Sequence, residues 1–251
     1  MSHEIETMAY ANQVPWHGLG NRVEESVTVE DMLDAAGLNW KVRSEPCYAK
    51  IDGHQTDIGR NALVRDKDNK ILTITGKDWK PLQNEDALGF FRDYANAGGA
   101  TLETAGSLRG GKCIWGLARV NAGFSIGSSD HVKGYILLVS PHEVGKSISV
   151  RTTSVRVVCA NTLAMAEGEG AAEYRQSHLK DFDVAAAKAT VELVKDGLGI
   201  MEAEAKKLVK LKMTPFDTVR VLSDIFQPLE DNSDDAIKVL LADPTLQTTT
   251  L

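Results

Sequence analysis

Gly98-Gly-Ala-Thr-Leu-Glu-Thr-Ala-Gly-Ser-Leu-Arg-Gly-Gly-Lys-Cys-Ile-Trp-Gly-Leu-Ala-Arg-Val120 decides the fold class of this chain. Two β-prone runs, Ala100–Thr104 and Lys112–Val120, flank the glycine-rich Gly106–Gly111, so the stretch reads as a hairpin. Working outward, Val132–Ser140 and Ser147–Val158 are two further β-rich runs. Upstream lie Trp40–Ile51, Ala62–Arg65 and Ile71–Thr75, the last two joined by the turn-forming Asp66-Lys67-Asp68-Asn69. A helix is expected over Ser26–Ala36, with Thr28 as cap, Asp31 three residues on and Gly37 as the stop. A second should run from Asn84 to about Asn96 and end at Gly98-Gly99. Strands joined by short turns rather than by regular helical crossovers make this an α+β pattern, with an antiparallel-dominated sheet and packed helices.

Past Ala160 the texture changes. Glu167–Ala172 is a linker by composition, and from about Phe182 to Lys212 the pattern is helical. Val184, Ala187, Val191, Val194, Leu198, Met201, Ala205 and Leu208 recur at alternating spacings of three and four, the seam of a helix lying along another element. Gly197 and Gly199 lie off that seam and weaken the helix. Pro215 opens another helix to about Phe226, and Ser233–Leu241 a short last one. The expected organisation is a core domain at 1–166 followed by a helical C-terminal region at 167–251.

The 251 residues are 43% hydrophobic and 25% charged, the proportions of a chain that folds in water. The longest apolar runs, such as Tyr135–Val139, are about five residues against the roughly 20 a membrane-spanning helix needs. Cys47, Cys113 and Cys159 lie far apart, with neither disulfide-framework nor zinc-site spacing. Met1–Met8 carries two acids and no apolar core, so neither a signal nor a transit peptide is expected. These features point to the cytoplasm. The net charge of −7 opposes bulk attraction to nucleic acid, but it is uneven. Residues 1–100 sum to −5 and residues 162–251 to −6, whereas residues 101–161 sum to +4.

Enzymatic motifs are incomplete. Gly106–Lys112 matches G-x-x-x-x-G-K, but Cys113 stands where magnesium needs a hydroxyl, and the loop opens into a strand rather than a helix. Its glycines, with Arg109 and Lys112, can still meet phosphate through exposed amides and charge. The six histidines show no H-x-x-x-H or H-E-x-x-H spacing. Asp66-Lys-Asp68-Asn-Lys70 has the letters of a nuclease site but sits in a polar turn. No G-x-S-x-G elbow is present. Neither a cofactor, a metal nor a catalytic set is expected.

What remains is basic side chains interleaved with aromatic ones: Arg109, Lys112, Arg119, Lys146, Arg151 and Arg156 are the candidate nucleic-acid contacts, with Trp115 a stacking candidate or else a core residue. Alternation along a strand puts Trp115 and Arg119 on one face and Lys112 on the other.

Three stretches carry a family resemblance: Met1-Ser-His-Glu-Ile-Glu-Thr-Met-Ala-Tyr10 with Val14-Pro-Trp-His-Gly-Leu-Gly20, then Glu103–Gly111, then Thr153-Ser-Val-Arg-Val-Val-Cys-Ala-Asn-Thr-Leu163. In this order they resemble the phage/plasmid-like protein family, a domain of unknown function, over about residues 1–215. The resemblance implies origin in a phage, prophage or plasmid and supplies no activity. At the level of fold, a helix feeding a hairpin with a basic tip, more strands and an Arg-bearing segment running into an Ala/Leu-rich stretch is similar to phage single-strand annealing proteins of the RecT, Redβ and Erf kind. That similarity implies a homo-oligomer that holds single-stranded DNA by its phosphates and leaves the base edges free to pair. The alternative is a protein-binding module that acts on a host or anti-phage defence protein through its acidic flanks. A metal-dependent nuclease ranks last.

Overall fold

The computed structural model describes residues 3–92, 99–126, 130–168, 173–193 and 195–226, with the single positions 238 and 242. The protein is α+β. Its strands are β1 (Ile5–Ala11), β2 (Asn21–Val23), β3 (Val42–Ile51), β4 (His54–Arg65), β5 (Lys70–Gly76), β6 (Ala100–Leu108), β7 (Cys113–Ile126), β8 (Asp130–Pro141), β9 (Ile148–Thr153) and β10 (Glu173–Gln176). Its helices are α1 (Val29–Ala35), α2 (Asn84–Gly89), α3 (Ala160–Gly168), α4 (Val184–Leu193), α5 (Lys195–Leu208) and α6 (Pro215–Phe226).

The expected hairpin becomes the centre of a seven-stranded sheet of order β10-β9-β8-β7-β6-β1-β2, antiparallel apart from the β1–β2 pair. Both faces are covered, which is why Tyr135–Val139 runs without polar alternation. Ile114, Ala118, Ile136 and Leu138 join the core that includes Met32 and Leu33 of α1 and Ala87 and Leu88 of α2. Trp115, Leu117, Leu137 and Val139 face the other way and are covered by Val157, Val158, Cys159 and Leu163.

Local signals account for much of this. Thr28 caps α1, its hydroxyl accepting from the Asp31 amide at 3.1 Å and donating to the Asp31 carboxylate at 2.7 Å. Gly37 follows the helix at φ +65°, a conformation that strains side chains with a Cβ. The Asp66–Asn69 turn joins β4 to β5 as expected, with Asn69 at φ 56°.

Other expectations shift. β6 runs through Gly106 to Leu108, and the turn is only Arg109–Lys112. A Cβ on Gly106 would sit 2.3 Å from Trp115 Cη2 and 2.5 Å from the Thr7 carbonyl, so the glycine makes room inside the sheet rather than turning the chain. The strand expected to reach Val158 ends at Thr153, because residues 154–159 leave the sheet edge to cover its second face. Helix α3 and edge strand β10, which pairs with β9, were not anticipated. One compact unit, which contains the sheet, spans Met1–Glu202, and a second comprises Ala203–Leu251.

On the helical seam, Ala187 is fully buried and α4 lies against β9 and β10, so this part of the seam docks within the chain. Helix α5 continues through Gly197 and Gly199. Helix α6 matches the expected Pro215–Phe226. The end of the helix expected to reach Asn96 and most of Ser233–Leu241 lie outside the described residues.

The second sheet, β3-β4-β5, sends a long hairpin away from the core. Beyond the Pro46–Asn61 pair, the register sets Ile58, Gly59 and Arg60 against Cys47 alone, and every residue from there to the Asp52-Gly53 tip is exposed or half-exposed.

Candidate functional site

The three stretches that carry the family resemblance meet in space. β1 pairs with β6 through Ile5 with Leu108, Met8 with Gly106 and Tyr10 with Thr104. Residues 153–163 cross above them, tied down by Thr104 Oγ1 donating to the Val157 carbonyl at 2.6 Å. The buried carboxylate of Glu103 receives Arg156 Nε at 2.6 Å and Asn12 Nδ2 at 3.1 Å, and Arg156 also donates to the Ala11 carbonyl at 2.9 Å. The His3 carbonyl accepts from the Ala160 amide at 3.0 Å.

On this base stands the loop Val14–Gly20. The Leu19 amide donates to His17 Nδ1 at 3.1 Å, which leaves Nε2 to donate to the Val158 carbonyl at 3.1 Å. Gly18 N–H closes a turn on the Pro15 carbonyl at 2.9 Å. Gly20, at φ +102°, lies so close to β1 that a Cβ would meet Met8 Cγ at 2.6 Å. A loop braced in this way would be expected to bury its aromatic ring. Instead Trp16 is 71% exposed, the largest value among the large hydrophobic side chains of the described residues, and Val14 and Leu19 beside it are also exposed. Its ring touches His17 edge-on at 5.2 Å. The loop thus holds an indole in water on a fixed backbone. The sequence signal was present in Pro15-Trp-His-Gly-Leu-Gly20, but the aromatic singled out as a stacking residue was Trp115.

Trp115 is fully buried, with Nε1 donating to Thr104 Oγ1 at 3.2 Å, so it is a core residue and cannot stack on a base. The six basic candidates do not line one groove. Arg109, Lys112 and Lys146 gather at one end of the large sheet, where the β6–β7 turn meets the loop before β9 and the His142 amide donates to the Lys112 carbonyl at 2.8 Å. Arg119 lies seven residues further along β7, roughly 23 Å away. It shares the Tyr135 neighbourhood with Arg156.

Each of the four arginines already holds a carboxylate. Arg109 binds Glu143 at 2.8 Å and Glu4 at 3.6 Å, Arg119 binds Glu25, and Arg156 binds Glu103. Arg151 is buried, bound to Glu173 and capping the end of α3 through the Ala166 and Glu167 carbonyls at 3.3 and 2.8 Å. Lys146 is exposed and Lys112 half-exposed, and neither has a carboxylate partner among the described residues.

Burial and pairing account for the shifted groups near these motifs. Burial pushes the Cys113 thiol up to about 12, far from a nucleophile's range. Burial, and then the neighbouring His178, push His142 down to about 3, so it is neutral. In the nuclease-like turn, Asp68 is held by two hydrogen bonds from Arg65, which take it down to about 2, and Asp66 accepts from the Lys41 amide. Among the described residues no group of three or more His, Cys, Asp or Glu gathers to hold a metal, and no helix is long and apolar enough to cross a membrane.

Residues 71–248 match the family described as Domain of unknown function (DUF932). The chain belongs to the DUF932 family. No curated protein and no solved structure matches it. The DUF932 match starts within β5, so the Trp16 loop and the β3–β4 hairpin precede it, while Arg109–Arg156 and the segment that braces the loop lie inside it.

Proposed function

We propose that this DUF932 protein is a non-catalytic protein-binding module whose recognition element is the Val14–Gly20 loop. The observation that carries this reading is a tryptophan left 71% exposed on a loop whose backbone is fixed by His17 and two left-handed glycines. Covering the exposed indole would be worth roughly 4 kcal/mol at 25 cal/mol per Å², the scale of a binding hot spot, and the rigid loop loses little entropy on binding. Residues 13–20 carry no charged side chain, which suits an apolar pocket on a protein better than a phosphate backbone. The partner class is a protein of the host cytoplasm, such as a defence factor met by a phage or plasmid product. The test is affinity capture from host extract with wild type and Trp16→Ala in parallel. A specific protein held by wild type and lost by a folded Trp16→Ala supports the reading; identical captures refute it.

A second reading is single-stranded DNA annealing by a homo-oligomer, as in the RecT-like similarity. What favours it is the free Lys112 and Lys146 beside Gly110, Gly111 and Gly145, all at positive φ, at one end of the sheet. Complementary fluorescent oligonucleotides at low salt test it. Binding whose salt slope falls by about 1 for each lysine removed supports this reading, and absence of binding removes it.

A further inference from the structure

We propose that two copies of this chain pair through the solvent-facing side of the β3-β4-β5 sheet. One side of this sheet enters the core through Val42 and Leu63. The register puts Ile74 opposite Ala62 and Ile71 opposite Val64, so these four share the other side. An antiparallel sheet with one covered face normally carries polar residues on its open face, yet Ile71 is 59% and Ile74 54% exposed. By alternation along β3, Ile51 of the projecting hairpin falls on this side with Arg43 and Glu45 while Tyr48 falls on the other, and Ile51, Ile71 and Ile74, each more than half exposed, leave on the order of 300 Å² of apolar surface in water, the scale of the largest patch on a typical monomer. A standard interface takes about 800 Å² from each partner, of which this strip would form the apolar centre and the polar parts of the sheet face the rim.

Charge selects a second copy as the occupant. In a chain of net −7, residues 42–76 carry six basic and five acidic side chains, so two copies can meet here without the repulsion that their acidic flanks impose. Arg43 and Glu45, paired at 3.4 Å on the edge strand, give the strip a rim of both signs, which is self-complementary across a two-fold axis. Pro46 in the middle of β3 has no N–H to offer an added strand, which opposes edge-to-edge extension and leaves face-to-face packing of two sheets. The contact involves no residue of the Trp16 loop, so it stands or falls independently of the proposed recognition site.

The experiment is light scattering and sedimentation of the full chain between about 1 and 100 µM. Wild type is expected to approach about 55 kDa, twice the 27.3 kDa chain, and the Ile71→Lys/Ile74→Lys variant to stay at one chain mass, its dimer Kd raised at least 30-fold. Both positions are exposed, so the variant should keep the wild-type circular dichroism, and its melting temperature should match that of wild type at concentrations where both are monomeric. Ile51→Lys on the hairpin should weaken the dimer in the same direction, and Trp16→Ala should leave it unchanged. A monomeric wild type at the highest concentration overturns the proposal, as does a double-lysine variant that keeps the wild-type mass.

Discussion

Gly106→Ala separates two accounts of the glycine-rich stretch. If Gly106 opened a phosphate-binding loop, a methyl there would alter ligand contacts and leave stability almost untouched. In the structure the new Cβ would lie 2.3 and 2.7 Å from two carbons of the Trp115 ring and 2.5 Å from the Thr7 carbonyl. The carbonyl belongs to the neighbouring strand and cannot move without opening the β1–β6 ladder. The indole is fully buried and anchored on Thr104, so it cannot swing without losing a hydrogen bond worth about 1 kcal/mol. Overpacking of this kind costs typically 1–3 kcal/mol, and adding the bond gives an expected loss of about 4 kcal/mol. Gly110→Ala is the control. Its Cβ would meet only the flexible end of Lys70, so its cost should be the left-handed backbone alone, about 1–2 kcal/mol. Equilibrium urea unfolding followed by tryptophan fluorescence measures both. A Gly106→Ala loss below about 1.5 kcal/mol, or one no larger than that of Gly110→Ala, would show that the strand placement of Gly106 is wrong.

Three further outcomes follow from buried and paired groups. Arg151→Ala removes the partner of Glu173 and the cap on α3, and should cost about 3–5 kcal/mol while deprotecting the β9–β10 amides first in hydrogen exchange; uniform loss of protection across the sheet would contradict this. His142 is neutral when folded, with its pKa near 3 against 6.5, so the unfolded state binds more protons between those values. Stability is therefore full above about pH 6.5 and falls with pH toward 3, by about 2 kcal/mol at pH 5, and His142→Gln should flatten the slope between pH 5 and 6.5. An unchanged slope in that variant would assign the pH dependence to other groups. Among the cysteines, only half-exposed Cys47 should react with a thiol reagent in the native protein at pH 8; equal labelling of buried Cys113 or Cys159 would mean the second core opens readily.

What the sequence revealed divides along physical lines. Features set by neighbours in the chain were legible: the Thr28 cap with Asp31, the Gly37 stop, the Asp66–Asn69 turn, and Pro215 opening its helix. Features set by packing between distant segments were not. Nothing local marks Ser154–Cys159 as chain that must leave the sheet, since Val155, Val157 and Val158 favour a strand; only the uncovered face of β6–β8 pulls them away. β10 is four residues of ordinary polarity, held as an edge strand by register with β9 and by Arg151. Trp115 is buried and Trp16 exposed for the same reason. Basic neighbours suggested exposure for Trp115, whereas a strand covered on both faces buries it.

The positive segment between acidic flanks shows how far such summing can mislead. Arg119 meets Glu25 across 94 residues, Arg156 meets Glu103 across 53, Arg109 meets Glu143 across 34 and Arg151 meets Glu173 across 22. Three of the acids that face these arginines, Glu4, Glu25 and Glu173, belong to the acidic flanks themselves. A central sheet strand is flanked by chain from elsewhere, so the charge it meets in space is that of the flanks, and a local excess of one sign is what an internally paired sheet needs. Opposite charges pair at short range when the fold brings them within 4 Å, and an exposed phosphate would have to displace a carboxylate already in place. Only a basic side chain left without such a partner is an argument for a polyanion. Among the candidates that leaves Lys112 and Lys146, a two-lysine contact that by itself supports about two units of salt slope, too few to hold a strand unless neighbouring copies align their own pairs beside it.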